Sequence, residues 1–515
     1  MKIFSAAQLH EADKVTAEKH NITSLDLMER AGGQIFAWLH QRMQGAQVPI
    51  HIFCGIGNNG GDGLVLGRLL IENGYNVTIY VANFTDKRSK CFLVNYDKVK
   101  NITKKWPILM TSEADFPEIH KDDIIIDAIF GIGLNRAPEG WVKKLIQYLN
   151  KNKAFTLSID MPSGMYANQA LEDADAVITS NHTLAFQTPK FSFFLPETAR
   201  FVPFFEVLDI GLDPEYIYTT EPYAQVISKP EAQQLYKPRD RFSYKGTHGH
   251  TLVVAGSYGK MGAAVLSTKA SLKIGSGIVT TFIPKVGYTI LQTSVPEAMV
   301  LTDDNENVLS SINYNFNPQC IAVGPGIGTS EQTVNAIKEL FKRSKSPIVI
   351  DADGLNCIAE DKSLLKLIPK QSILTPHKGE LERLIGTWKN DYDKIKKVKA
   401  FAKKYEVVVV IKETFTIVVF EDKLYINTSG NQALATAGSG DVLTGIIAGL
   451  VSQGYDSLLA SVLGVYLHGS AGVLASKQMG YEGVIASDII DFIPDSYIEL
   501  FKQEQAPQQE KTETK

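Results

Sequence analysis

Short apolar runs that close on turns of glycine, aspartate and asparagine recur along the whole chain, and this recurrence restricts the fold more than any other feature. Residues 49–54 end on Gly55-Ile56-Gly57-Asn58-Asn59-Gly60-Gly61-Asp62-Gly63, residues 123–130 on Gly131-Ile132-Gly133-Leu134-Asn135-Arg136, and residues 154–160 on Met161-Pro162-Ser163-Gly164. The second half repeats the device. Residues 320–323 precede Gly324-Pro325-Gly326-Ile327-Gly328, and 347–350 precede Asp351-Ala352-Asp353-Gly354-Leu355-Asn356. Residues 372–374 precede Thr375-Pro376-His377-Lys378-Gly379-Glu380, and 406–411 precede Lys412-Glu413-Thr414-Phe415-Thr416. Apolar runs of that length read as strands of a sheet buried on both faces. Helical periodicity over 5–44, 64–73, 262–274 and 458–476 supplies the covering helices. The fold class is therefore α/β, and in such sheets ligands bind at the carboxyl ends of the strands, where these turns lie.

A chain of 515 residues implies about two to four domains. The strand pattern of the first half breaks after residues 205–210 at Gly211-Leu212-Asp213-Pro214, and Pro222, Pro230 and Pro238 follow without a long period. The boundary is placed near 222, giving a Rossmann-like, doubly wound domain over 1–222 and a second α/β domain over 223–501. The polar tail 502–515 is expected to be disordered. A net charge of −4 gives no broad basic surface for nucleic acid. No uninterrupted apolar run reaches the ~18 residues of a membrane span, and the amino terminus lacks a signal-type apolar core. Four scattered cysteines, Cys54, Cys91, Cys320 and Cys357, make no metal-type pair and fit a reducing, cytoplasmic setting.

Gly55, Gly57 and Gly60 satisfy the dinucleotide pattern G-x-G-x-x-G between a strand and a helix. The acid that should follow ~20 residues on is missing, since Tyr80-Val81-Ala82-Asn83 stands there. An ordinary hydride-transfer site is therefore not expected. Asn58, Asn59 and Asp62 are either recognition groups or residues that merely suit a tight turn. Asn59, Asp127, Asp160 and Ser163 would meet at the strand ends, and such hard oxygen donors suit a hard cation better than zinc. In the second half, Thr436-Ala437-Gly438-Ser439-Gly440-Asp441 runs straight into an apolar helix. Free amides at that helix start form an anion site, and Asp441 beside it reads as a base, or else as a first-turn acid that suits the helix dipole. His248 and His250, two apart before a strand, point to opposite faces and are not expected to bind metal.

In combination these turns resemble a known family. The second half, through Gly324-Pro325-Gly326-Ile327-Gly328, Asp351-Ala352-Asp353-Gly354-Leu355-Asn356, Thr375-Pro376-His377-Lys378-Gly379-Glu380 and Ala437-Gly438-Ser439-Gly440-Asp441, resembles the nucleotide-dependent NAD(P)H-hydrate dehydratases of ribokinase-like fold. The first half resembles their usual fusion partner, the NAD(P)H-hydrate epimerase or YjeF N-terminal domain. The resemblance implies a bifunctional repair enzyme for NADH and NADPH hydrated at ring carbon 6. The first domain would interconvert the R and S hydrates, and the second would dehydrate the S form with consumption of ADP. By resemblance, Asn58, Asn59, Gly60, Gly61, Asp62, Gly131, Ile132, Gly133, Leu134, Asn135, Arg136 and Asp160 bind the hydrate in the first domain, with Asp160 its proton carrier. Asn59, Asp127 and Ser163 match potassium ligands. In the second domain Ala263, Gly326, His377 and Asp441 match hydrate contacts, with Asp441 the general base. Lys412, Glu413, Thr414, Phe415, Thr416, Gly438, Ser439 and Gly440 match the nucleotide site, where magnesium is expected as well. The expected partners are these small molecules and further copies of the chain in a homo-oligomer, with neither nucleic acid nor membrane.

Two departures bear on activity. The family's usual Lys-Gly-Ala-Gly-Thr is here Lys412-Glu413-Thr414-Phe415-Thr416, which loses two glycines and adds the charge of Glu413. Lys378 stands where a proline is usual. The alternative reading is a ribokinase-like small-molecule kinase carrying an N-terminal dinucleotide-binding module.

Overall fold

The computed structural model describes residues 1–503, so the expected polar tail, beyond its first two residues, lies outside the described residues. The chain divides into two units. One consists of Lys2–Gln225 with Asn390–Tyr392, the other of residues 226–389 and those from Asp393 on, with Met1.

Seven strands form the sheet of the first unit: β1 (Ile50–Cys54), β2 (Val77–Ala82), β3 (Ile108–Met110), β4 (Ile124–Ala128), β5 (Phe155–Ile159), β6 (His182–Phe186) and β7 (Phe205–Leu208). All pairings are parallel and the order is β3-β2-β1-β4-β5-β6-β7. The order reverses between β1 and β4, which is where a doubly wound sheet opens its crevice. Alternate residues of one strand serve opposite faces. Ile50, Ile52 and Cys54 pack with Leu64, Leu70 and Ile35 on one side. Phe53 packs with Leu145, Ile146 and Leu149 on the other. The helix after β1 spans Asn58–Glu72, so it begins six residues before the position expected from its apolar pattern. Asn58 to Asp62 are therefore its first turns, not a free loop. Gly60 permits this, because a Cβ there would lie 1.8 Å from the Gly55 carbonyl oxygen.

The second unit contains β8 (His250–Val254), β9 (Ile278–Ile283), β10 (Met299–Thr302), β11 (Cys320–Val323), β12 (Ile348–Ile350), β13 (Ile373–Leu374), β14 (Val408–Ile411), β15 (Ile417–Phe420) and β16 (Lys423–Asn427). They run in the order β16-β15-β14-β13-β12-β11-β8-β9-β10. Strands β8 to β14 pair in parallel, and β14-β15-β16 pair antiparallel. Strands β15 and β16 form a β-hairpin around Glu421-Asp422. The helices Met261–Lys273, Ser439–Ser452 and Ser457–Met479 cover one core. Helix Ser457–Met479 is long and apolar enough, by length and composition alone, to cross a membrane. Counting uninterrupted apolar runs overlooks it because Ser461, His468 and Ser470 divide its sequence. Val462, Leu463, Leu467 and Ala471 are buried in the core of the unit. Strands β3 and β10, both at sheet edges, escape sequence reading because Ile108, Leu109 and Met299 are exposed and show no buried pattern.

Candidate active sites

In the first unit, Asp160 follows β5 directly in the left-handed region, with φ +66°. A non-glycine residue is held there only when its surroundings over-determine it. Here the surroundings are the Leu184 carbonyl, which accepts from the Asp160 amide at 2.8 Å, and the Phe186 amide, which donates to Asp160 Oδ1 at 3.2 Å. Lys190 completes the hold, its Nζ donating to the same oxygen at 2.5 Å from a position 1% exposed. Lys190 was not singled out from sequence. Its signal is a lysine inside the apolar stretch Phe186 to Leu195, where a buried cation demands a partner.

Asp127, at the end of β4, is fully buried. It accepts from Ser158 Oγ (2.9 Å), Ser163 N (2.8 Å), Ser163 Oγ (2.5 Å) and Ile129 N (3.3 Å). Burial raises its pKa and these donors oppose the rise. Ser163 Oγ also accepts from the Phe130 amide at 2.8 Å. Asn59 lies against the following turn, since a Cβ on Gly131 would meet its side chain at 3.2 Å. Its buried amide nitrogen has no hydrogen-bond partner. Asn59, Asp127 and Ser163 thus sit where β1, β4 and β5 end. Residues Gly131 to Arg136 form a loop beyond β4, with Gly133, Asn135 and Arg136 exposed.

In the second unit the turns after β8, β11, β12, β13 and β14 share the carboxyl edge of the sheet. Gly438, with φ +85°, is the N-cap of helix Ser439–Ser452 and supplies no capping side chain. The left-handed turn leads the chain into the helix, whose first turn carries Asp441, as the sequence predicts. Ser267 Oγ donates to the Asp441 carbonyl at 3.0 Å and seats this helix on Met261–Lys273. Lys412 Nζ donates to Asp351 Oδ1 at 2.7 Å, and Thr444 Oγ1 to Asp351 Oδ2 at 2.8 Å. A Cβ on Gly440 would stand 3.4 Å from Lys412 Nζ. Lys412 and the loop from Gly438 to Gly440 therefore form one surface. Asp441 is pushed up to about 6, first by burial, then by the charge of Asp351, against the opposing pull of Lys412.

His468 Nε2 is 3.1 Å from Ser439 Oγ, and burial pushes this histidine down to about 4, so it is neutral at pH 7. Asp351, Thr444 and His468 carry this site without having been singled out as site residues. Only the fold brings the helix, the strand end and His468 together.

Gly326 and Ala263 are neighbours, a Cβ on the former lying 3.1 Å from the Cβ of the latter. His377 is the N-cap of helix Lys378–Ile385, its Nδ1 accepting from the Gly379 amide at 3.0 Å. Lys378 is the first helical residue, the position at which a proline is also at home. His377 pairs with Lys412 in a parallel bridge, which brings the turns after β13 and β14 side by side. Glu413 does not add a free negative charge to the nucleotide turn. Lys394, 1% exposed, donates to both its carboxylate oxygens at 2.6 and 2.8 Å. No residue from Lys412 to Thr416 has a positive φ, so the lost glycines are not required by this backbone. His248 and His250 bond to Ser243 Oγ and Thr280 Oγ1.

A doubly wound unit with a glycine turn, and a second α/β unit with a glycine-capped helix start beside an aspartate raised toward neutrality, define a two-domain α/β enzyme. The family model for NAD(P)H-hydrate dehydratase matches residues 251–495, and that for the YjeF-related protein N-terminus matches residues 24–192. The bifunctional NAD(P)H-hydrate repair enzyme of Moorella thermoacetica is 33% identical over 511 residues, covering 96% of each chain. That of Coxiella burnetii is 31% identical, over 95% of this chain and 97% of its own. A solved ADP/ATP-dependent NAD(P)H-hydrate dehydratase from Bacillus subtilis, co-crystallised with ATP and magnesium, is 27% identical. It covers 54% of this chain and 99% of its own, with a TM-score of 0.46. The chain belongs to the family of bifunctional NAD(P)H-hydrate repair enzymes.

Proposed function

We propose that the first unit interconverts the R and S hydrates of NADH and NADPH at ring carbon 6, and that the second removes water from the S hydrate at the expense of ADP. The observation that carries the second half is Asp441, raised to about 6 beside the amides of the Gly438 to Gly440 loop while Lys412 is engaged by Asp351. Near neutral pH such a carboxylate is mostly ionised yet basic enough to take a proton.

Asp441 takes the proton of the carbon 6 hydroxyl as its oxygen attacks the terminal phosphorus of ADP, and AMP leaves. The phosphate ester then breaks at its bond to carbon 6, a proton leaves carbon 5, and the ring double bond returns. Amides of the anion loop stabilise charge on the transferred group, each donor being worth on the order of 10²–10³ in rate. Lys412 and the turn to Thr416 hold the nucleotide, and Ala263, Gly326 and His377 the hydrate. Magnesium would enter with the nucleotide phosphates, because Asp351 and Asp353 already hold Lys412 and Lys260.

In the first unit, Asn59, Asp127 and Ser163 fit potassium. Their donors are oxygens, the one carboxylate is bonded to neutral groups, and the unpartnered amide of Asn59 presents its oxygen instead when flipped. The ion would supply a fixed positive charge at the strand ends. Residues Asn58 to Asp62 and Gly131 to Arg136 hold the hydrate, with Asp160 carrying the proton.

Incubating the full chain with S hydrate and ADP tests this reading. Recovery of the reduced-nicotinamide absorbance with release of AMP is expected. Phosphoryl transfer to an alcohol without that recovery would replace it with the kinase reading.

A further inference from the structure

Asp160 follows β5 and Asp62 stands in the helix that follows β1, so both lie toward the carboxyl edge of the first unit's sheet. Asp62, in the first turns of Asn58–Glu72, is 9% exposed, and its carboxyl accepts no hydrogen bond from the described residues. Asp13, on helix Ala6–His20, is half-buried. Lys190 has no donor left for either of them. An ammonium has three donors, and Lys190 directs its own to Asp160 Oδ1 at 2.5 Å and to the carbonyls of Phe186 and Thr188 at 3.1 Å each.

The electrostatics agree with the geometry. Burial, then the charges of Asp160 and Asp13, raise Asp62 well above the usual carboxylate range. Asp13 is itself pushed up to about 6 by burial, with His10 and Lys190 opposing and Asp160 adding to the rise. Burial, and after it the charge of Asp62, raises the thiols of Cys54 and Cys91, which stay neutral. One carboxyl therefore sits in an ion pair, and another, buried and unpartnered, stands at the same edge of the sheet. Such a divergence between two carboxyls marks an acid and a base.

We propose that Asp62 is the second catalytic group of the epimerase site, giving a proton to the carbon 6 hydroxyl while Asp160, paired to Lys190, takes one from the incoming water. This rests on the epimerase reading of the first unit. The proton of Asp62 passes to the hydroxyl oxygen, the bond from carbon 6 to that oxygen breaks, and water leaves. The ring-nitrogen lone pair closes a carbon–nitrogen double bond. Water then adds to the other face of carbon 6, its proton passes to Asp160, and the electron pair returns to nitrogen. Turnover in the opposite direction exchanges the two roles and restores both protons. Asp13 is a positioning residue, its charge keeping Asp62 protonated.

The test follows R-to-S exchange by the full chain, with dehydration of S hydrate as the control. Asp62→Asn should lose about 10²-fold or more in exchange, with dehydration of S hydrate by the second unit unchanged. Asp13→Asn should keep exchange at its optimum but move the alkaline limb of the pH profile to lower pH, because loss of its charge eases ionisation of Asp62. A wild-type chain without exchange overturns the epimerase reading itself. Exchange by wild type and Asp62→Asn at equal rates, or an unmoved limb in Asp13→Asn, overturns the role of Asp62 alone.

Discussion

Each unit sets aspartates and a lysine at the carboxyl edge of its sheet, and the lysine is engaged differently in the two. Lys190 donates directly to Asp160. Lys412 donates to Asp351, with Thr444 on the other oxygen of that carboxylate, and Asp441 is left to burial and to the charge of Asp351. The backbones differ too. Asp160 is strained at a strand end, with φ +66°. Asp441 lies in a first helical turn, where the dipole favours its charge. Burial nevertheless wins at Asp441. The partner a lysine takes, rather than the residue types present, decides whether an aspartate is a paired carboxylate or a base poised near neutrality.

The comparison breaks most sharply at Asp441. Asp441→Asn should lower the dehydration rate by about 10²–10⁴-fold and leave epimer exchange untouched; both rates are measured on one preparation, and equal losses would join sites held here to be separate. Lys190→Met leaves Asp160 buried without its cation, which costs about 3–5 kcal/mol. Urea unfolding of the full chain should show that loss together with lost exchange.

Asp351→Asn sharpens the second half of the comparison. Removing that charge and freeing Lys412 both ease ionisation of Asp441, so the acid limb of dehydration should fall by about one pH unit from its wild-type position. The smallest effect is expected for Lys378→Pro. His377 is already extended before it, at φ −79° and ψ 171°, and position 378 opens the helix. The change should add about 0.4–1 kcal/mol to stability and leave the acid limb in place, showing that Lys378 is not a second Lys190.

Strand ends were the legible part of this chain. Strand β11 stands at the position read from its apolar run, and Gly438 and Asp441 occupy the helix start that their spacing requires. Partnerships were not legible, because they join residues far apart in sequence. Lys394 reaches Glu413 from the helix Asp391–Tyr405, and so a substitution that reads as a liability becomes a buried ion pair. Asp351 stands 61 positions from Lys412 and 93 from Thr444. The start of the helix at Asn58 escaped periodicity because its first turns are glycine and polar residues, buried by backbone approach and not by apolar side chains.

The pH dependence of dehydration, measured as kcat/KM for S hydrate at saturating ADP, tests the central contrast most directly. The base form of Asp441 is lost as pH falls through its raised value. An acid limb centred at about 6 is the result expected. A limb at the ordinary carboxylate position near about 4 would contradict it.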